Sequence, residues 1–363
     1  MNKIMQIGLV GLPRAGKTTF FNLLTDFNLP TVYNPAAEPH AGSATVPDQR
    51  VDFLAALYKP RKIVHARIAF TDIPGARINE SGARAALLLN EVRVADLLVQ
   101  VVRAFPCSDG GVSLPAGPQP HRDLLDYATE LILADMDAVE KRIERIKNRP
   151  KIKKDDLGQL AVLERLLKAL EQEQPLSDIK LAPNEQEYLA GQAFLSNKPL
   201  IAAINIDEDQ FAAGDYRERD QVIAYAQRHE IPLIEICAQA EMEIGRLSPE
   251  DRAQFMAELG SVETGLERLV RSAYERLGLL SFFTVGDDEV RAWTVRCGVT
   301  ARQAAGKIHS DIERGFIRAE VFHFDDLCRL GSAAKVREAG LFRLEGKDYL
   351  VRDGDIISIR FNV

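Results

Sequence analysis

Residues Gly11-Leu12-Pro13-Arg14-Ala15-Gly16-Lys17-Thr18 read G-x-x-x-x-G-K-T, a spacing suited to holding phosphate. Backbone N–H groups of a glycine loop, and of the helix N-terminus it opens, converge on an anion. Lys17 adds a point charge for the outer phosphates, and the Thr18 hydroxyl is placed to ligate magnesium. The context agrees: Ile7 to Val10 is a short apolar run of strand type, and Thr19 to Leu24 can line one face of a helix. Gly11 through Thr19 are therefore the expected phosphate-binding residues, and the expected ligand is a nucleoside di- or triphosphate.

Two further stretches extend the chemistry. Phe70-Thr71-Asp72-Ile73-Pro74-Gly75 carries D-x-x-G behind a second candidate strand. Such an aspartate holds magnesium through water, and such a glycine N–H meets the γ-phosphate. Lys17, Asp72, Gly75 and Arg14 form the expected catalytic set, with Thr18 and Asp72 on the metal. Asn205-Ile206-Asp207-Glu208 ends a later strand where a GTPase would carry N-K-x-D. An aspartate there accepts from guanine N1–H and its 2-amino group, while a lysine packs on the base. Ile206 and the longer Glu208 remove both features, and adenine, with an acceptor at N1 and no 2-amino group, needs neither. Cys237, Ala238 and Gln239 follow one strand later, where a second base-contacting loop is expected.

The elements that must position these residues read as a parallel α/β sheet over 1–121, resumed over 199–280. Ile63 to Phe70 and Leu97 to Val102 look like strands, as do Leu200 to Asn205 and Pro232 to Cys237. Cys107 to His121 is rich in Gly and Pro and reads as a loop. Between the two halves, Leu125, Thr129, Ile132, Met136, Val139, Ile143 and Ile146 fall at four-three spacing. Leu160, Leu163, Leu167 and Leu170 repeat the pattern after Asn148-Arg149-Pro150. This predicts an inserted antiparallel coiled-coil arm over 122–198, its first helix about 40 Å long. Residues 281–363 read as a small ubiquitin-like β-grasp module: Val290 to Val295 alternates, Ala301 to Arg314 is helical, and Tyr349 to Val351 and Ile356 to Val363 look like strands.

Composition bounds the setting. The 363 residues are 46% hydrophobic and 27% charged, with a net charge of -7, which argues against wholesale coating of nucleic acid but permits a local basic patch. The four cysteines, Cys107, Cys237, Cys297 and Cys328, are scattered without a C-x-x-C pair and fit reduced thiols. The P-loop begins within about ten residues of Met1, leaving no room for a signal peptide, and no apolar run spans a membrane. A cytoplasmic protein is expected.

These motifs resemble the Obg-like ATPases, the YchF family of ribosome-associated P-loop proteins. Gly11-Leu12-Pro13 with Gly16-Lys17, the N-x-x-E at Asn205 and Glu208, and the intervening arm match. So do Glu289 to Thr294, Gln303 to His309, Glu313 to Ala319, Gly346 to Tyr349 and the terminal Phe361-Asn362-Val363. The resemblance implies ATP preferred over GTP, magnesium dependence, a TGS domain at the C-terminal end, and ribosome association. It covers nearly the whole chain.

The chain also departs from that pattern. Arg14 stands where the family usually carries an asparagine linked to monovalent-cation coordination. Its guanidinium either replaces a potassium ion near the phosphates or lies solvated on the loop's outer edge. Switch I, Tyr33 to Pro39, is short, and its magnesium-closing threonine reads as Ala36. Gly75 to Gly82 is shorter and poorer in glycine than the family's switch II, and Ala76 offers no glutamine to orient water, an absence that the family generally shares. Together these imply slow or lost hydrolysis with binding retained.

Lys141 to Lys154 is dense in Lys and Arg near the expected arm tip, where contact with ribosomal RNA phosphates competes with a solvated helix end as the reading. His309 suits a surface or capping role, and Trp293 a packed strand position or a stacking role. The combined expectation is a magnesium-dependent ATP-binding switch and slow ATPase, engaging a ribosome or its RNA through the 141–154 tip and the TGS domain. A true GTPase and a ribosome-binding adaptor without hydrolysis are the alternatives.

Overall fold

The protein, here a computed structural model, is described at residues 5–25, 27–32, 34, 37–75, 83–106, 117–151, 153–189, 191–248, 250–252, 254 and 263–362, side chains of 83–86 excepted. Its contacts gather into two compact units. One holds Met5–Gly42 with Ala69–Leu269; the other holds Ser43–Ile68 with residues 270–362.

The first unit is built on a sheet of order β2-β4-β1-β5-β6-β7. In chain order, with α2 and β3 belonging to the other unit, the elements are β1 (Gln6–Val10), α1 (Lys17–Thr25), β2 (His40–Thr45), α2 (Gln49–Tyr58), β3 (Lys62–Val64) and β4 (Arg67–Asp72). They continue with α3 (Ala83–Val94), β5 (Leu97–Arg103), α4 (Pro120–Lys147), α5 (Lys154–Leu170), α6 (Pro183–Tyr188) and β6 (Leu200–Asn205). Then come α7 (Glu208–Ala213), α8 (Arg219–Arg228), β7 (Leu233–Ile236) and α9 (Ala238–Ile244). β1 pairs in parallel with β4 and β5, β5 with β6, and β6 with β7. Strands buried on both faces favour near-continuous apolar runs, and Leu97 to Val102 is buried throughout, Gln100 being its single polar member. Strand order reverses on either side of β1, so a crevice opens at the C-terminal ends of β1, β4 and β5.

The helical insertion departs from the predicted seam. Ile132, Val139, Ile143 and Ile146 of α4 do pack on Leu160, Leu163, Leu166 and Leu170 of α5. Leu125 and Thr129 do not; both are exposed. The first half of α4 turns another face inward, placing Tyr127, Leu131 and Ala134 against Val10 and Leu98 of the sheet. Burial on the sheet overrides the four-three stripe there. The segment's return is fixed by buried Asp135, which accepts the amides of Leu195 and Ser196 at 2.8 Å each.

The second unit carries a sheet of order β11-β10-β12-β8-β9-β3, from β8 (Leu279–Thr284), β9 (Glu289–Arg296), β10 (Phe316–His323), β11 (Arg343–Glu345) and β12 (Asp355–Phe361). β8 and β9 form an antiparallel pair, β12 lies parallel to β8, and β10 runs antiparallel to β12. A helix at Ala301–Ile308 buries Ala301 and Ala304 in one core with Leu280, Val321 and Ile357.

Three local expectations change. Ile63 to Phe70 is two strands rather than one: β3 leaves to pair with β9, and only β4 stays beside β1. Ala301 to Arg314 breaks into two helices at His309, whose extended backbone ends one, and whose ring accepts the Asp311 amide at 3.2 Å to cap the next. Tyr349 to Val351 makes an isolated bridge between Leu350 and Thr300 instead of a strand. Trp293 is a packed strand residue, its Nε1 donating to Thr284 Oγ1 at 3.0 Å beneath the Arg291 guanidinium.

Candidate nucleotide site

The loop between β1 and α1 sits at the crevice mouth. Gly16 has φ +98 and faces the Asn205 carboxamide, so a side chain would be both strained and blocked. Lys17 opens α1 and is buried, with Nζ donating to the carbonyls of Gly11 at 3.0 Å and Leu12 at 2.9 Å. Burial lowers its pKa to about 8, with Asp72 acting in the opposite direction. Pro13 and Arg14 are exposed at the loop's outer edge, and Arg14 adopts φ +64. Ala15 is buried and Thr19 half-buried.

Asp72 ends β4 and reaches this loop. Its Oδ2 accepts from the Thr18 hydroxyl at 2.7 Å, while Oδ1 is buried and has no hydrogen-bond partner among the described residues. Burial pushes its pKa up, and the Thr18 hydrogen bond, Lys17 and His40 pull it back. Sequence reasoning missed His40; nothing in its spacing places it within reach of a carboxylate 32 positions on. Gly75 comes so close that a Cβ would meet Pro13 N at 2.7 Å and Lys17 Nζ at 2.8 Å, so only glycine lets this backbone approach.

This corner fits a magnesium ion held partly by nucleotide and water. A buried carboxylate oxygen without a hydrogen bond, beside a threonine hydroxyl, supplies the hard oxygen donors that magnesium prefers. No cluster of three or more His, Cys, Asp or Glu side chains able to hold a metal alone occurs among the described residues.

On the base side, the structure divides the predicted residues. Asn205 is buried, donating from Nδ2 to the Ala15 carbonyl at 3.1 Å and accepting the Ala238 amide on Oδ1 at 3.4 Å. It ties the phosphate loop to the loop after β7. Ile206 is 5% exposed and packs with Ala104, Leu124, Tyr216 and Cys237, so its side chain serves the core. Glu208 begins α7 and is exposed. Its charge lies near Cys237, whose thiol burial pushes up in pKa and whose Sγ caps α9 through the Ala240 amide at 3.5 Å. Gln239 is exposed and donates to Glu243 at 3.2 Å. The switch residues Tyr33, Pro35 and Ala36, and Ala76 to Gly82, lie outside the described residues.

At the α4–α5 turn, Lys141 pairs with Asp137, Lys147 with Glu164 and Arg149 with Asp156. Arg145, Lys151, Lys153 and Lys154 are exposed there. No helix among the described residues is long and apolar enough to cross a membrane.

Comparison with known proteins agrees with this geometry. A family model described as 50S ribosome-binding GTPase matches residues 6–153, and one named YchF-GTPase_C, described as a protein of unknown function, matches 279–362. The chain is 39% identical to the ribosome-binding ATPase YchF of Bacillus subtilis over 98% of its own length and 99% of the relative's. It is 38% identical to that of Escherichia coli O157:H7 with the same coverage. The solved structure of the Schizosaccharomyces pombe YchF GTPase superposes with a TM-score of 0.87 at 29% identity, covering 99% of this chain and 98% of that one.

Proposed function

The chain belongs to the YchF family, and from that premise we propose that it is a magnesium-dependent ATP-binding switch and slow ATPase that associates with the ribosome. The observation that carries the reading is the Thr18–Asp72 pair beside Lys17, with one buried carboxylate oxygen left without a hydrogen bond among the described residues. Thr18 and Asp72 would hold magnesium, which supplies charge neutralisation at the phosphates when bound. Lys17, still mostly charged at pH 7, would exchange its two carbonyl partners for phosphate oxygens, whose negative field holds that charge. Gly75 presents its N–H where the outermost phosphate would lie, and Gly11 to Thr19 wrap the rest.

Adenine is favoured by what the base loop lacks. Guanine specificity needs a fixed carboxylate below N1 and a lysine stem along the ring. Ile206 is committed to the core, and Glu208 stands exposed at the start of α7. Asn205 holds the two loops in register, so its contribution to the base is positional. The names of the relatives support an ATPase that binds ribosomes. The exposed Arg145, Lys151, Lys153 and Lys154 are the surface offered to ribosomal RNA phosphates, and the C-terminal unit is read as a TGS domain sharing that role. With no water-orienting glutamine after Gly75, turnover on the order of 10⁻³ s⁻¹ or slower is expected.

Phosphate release from ATP with magnesium tests the enzymatic half. Slow release that disappears in Lys17→Ala supports the assignment. Release equal in the two proteins would contradict it.

A further inference from the structure

Residues 43–68 lie in sequence between His40 and Asp72, yet they are built into the C-terminal unit. β3 extends its sheet, with Lys62, Ile63 and Val64 in register with Glu289, Val290 and Arg291. The amides of Arg61 and Lys62 donate to the carbonyls of Asp287 and Asp288 at 3.0 Å each. Arg50 on α2 is the anchor. Its Nη1 reaches Asp353 Oδ2 at 2.6 Å, its Nε reaches Asp48 Oδ1 at 2.8 Å, and its guanidinium lies 5.0 Å from the centre of the Phe283 ring. Asp353 also accepts the Ser281 amide at 2.8 Å, and Phe53 meets Phe324 edge-on at 5.4 Å. Val51 and Leu54 are fully buried.

The chain enters and leaves this segment inside strands. The boundary between units falls within β2 after Gly42 and within β4 after Ile68. Ile68-Ala69-Phe70-Thr71-Asp72 contains no glycine or proline, so the magnesium aspartate is joined to the anchored segment by uninterrupted strand. An ordinary surface excursion would absorb a displacement of β2 or β4. This one is fixed at its far end by a ladder, an ion pair and two buried apolar side chains.

We propose that β2 and β4 transmit the occupancy of the nucleotide site to the C-terminal unit, with Arg50 as the anchoring residue on the receiving side. The inference rests on the nucleotide reading above and adds the output of that switch. By linkage the coupling is reciprocal: a partner bound to the C-terminal unit changes nucleotide affinity by the factor with which nucleotide changes partner affinity. A third crossing lies inside the helix Gly265–Arg276, and variants at Arg50 separate the two routes.

Hydrogen exchange by mass spectrometry on the full-length protein, with and without magnesium and a non-hydrolysable ATP analogue, tests this. Peptides over 11–25 report binding, and those over 60–64 and 289–296 report transmission. The expected result is slowed exchange at 11–25 together with a change of about twofold or more at 289–296. In Arg50→Lys and Asp353→Asn, chosen because both keep their size, the response at 11–25 stays and that at 289–296 is lost. Protection at 11–25 with nothing at 289–296 overturns the coupling and leaves the nucleotide reading intact. A response at 289–296 that both variants retain overturns transmission through this segment. No protection at 11–25 overturns the nucleotide reading and the coupling with it.

Discussion

The Thr18 hydroxyl donates to Asp72 Oδ2 at 2.7 Å, and the other oxygen of that carboxylate is buried without a hydrogen bond among the described residues. A buried charged oxygen left in that state is costly, and a bound cation or its water relieves the cost. Asp72→Asn keeps the shape and removes the charge. Its affinity for ATP in magnesium is expected to fall about tenfold or more, equivalent to about 1.4 kcal/mol. Calorimetry with magnesium and with chelator checks this, and the variant should respond to neither addition.

Asn205 joins the phosphate loop to the loop after β7 through Ala15 and Ala238. Asn205→Ala leaves a buried carbonyl and a buried amide without that partner, at a cost of about 2 kcal/mol. Urea unfolding is expected to show the loss, and nucleotide affinity to fall with it. Unchanged stability would mean that the carboxamide serves the ligand alone.

How much of this was legible in the sequence depends on the range over which each determinant acts. The phosphate loop was, because Gly11 to Thr18 is local and its chemistry follows from residue types. β5 and β6 were, because runs as apolar as Leu97 to Val102 have no other stable place. The split of Ile63 to Phe70 was not: His65-Ala66 carries no turn signal, and the pairing that draws β3 away lies over 220 residues further on. Nor was the face of α4, since Leu124, Tyr127 and Leu131 form a stripe as good as the one through Leu125 and Thr129. Only the sheet beneath decides between them. The second use of Asn205 was hidden for the same reason, its partner Ala15 being 190 residues away.

Asp123, in the first turn of α4, is pushed up to about 6 by burial, with Arg103 opposing and Asp126 and Glu218 reinforcing. A carboxyl whose folded pKa exceeds its unfolded value loses stabilisation as pH rises through about 4 to 6. Asp123→Asn is therefore expected to stabilise the protein at pH 7 by about 1 kcal/mol, after allowing for solvent screening and the favourable helix terminus. The gain should vanish below about pH 3, where the carboxyl is neutral in both the folded and the unfolded chain. Thermal unfolding across that range reads the difference, and a gain independent of pH would contradict the cause.

Lys151, Lys153 and Lys154 are exposed at the α4–α5 turn, whereas Lys141, Lys147 and Arg149 are held in ion pairs. Reversing the first three to Glu is expected to weaken ribosome co-sedimentation about tenfold and to make the residual binding less sensitive to salt. ATP binding should be unaffected. Unchanged co-sedimentation would move the ribosome contact away from this tip.

The central claim is a magnesium-dependent site that prefers adenine. Calorimetric titration of ATP and GTP, each with magnesium, into the purified nucleotide-free protein tests it most directly. The expected result is ATP binding at least about tenfold tighter than GTP, a difference of about 1.4 kcal/mol. Tighter binding of GTP, or no heat from either nucleotide, would contradict the account.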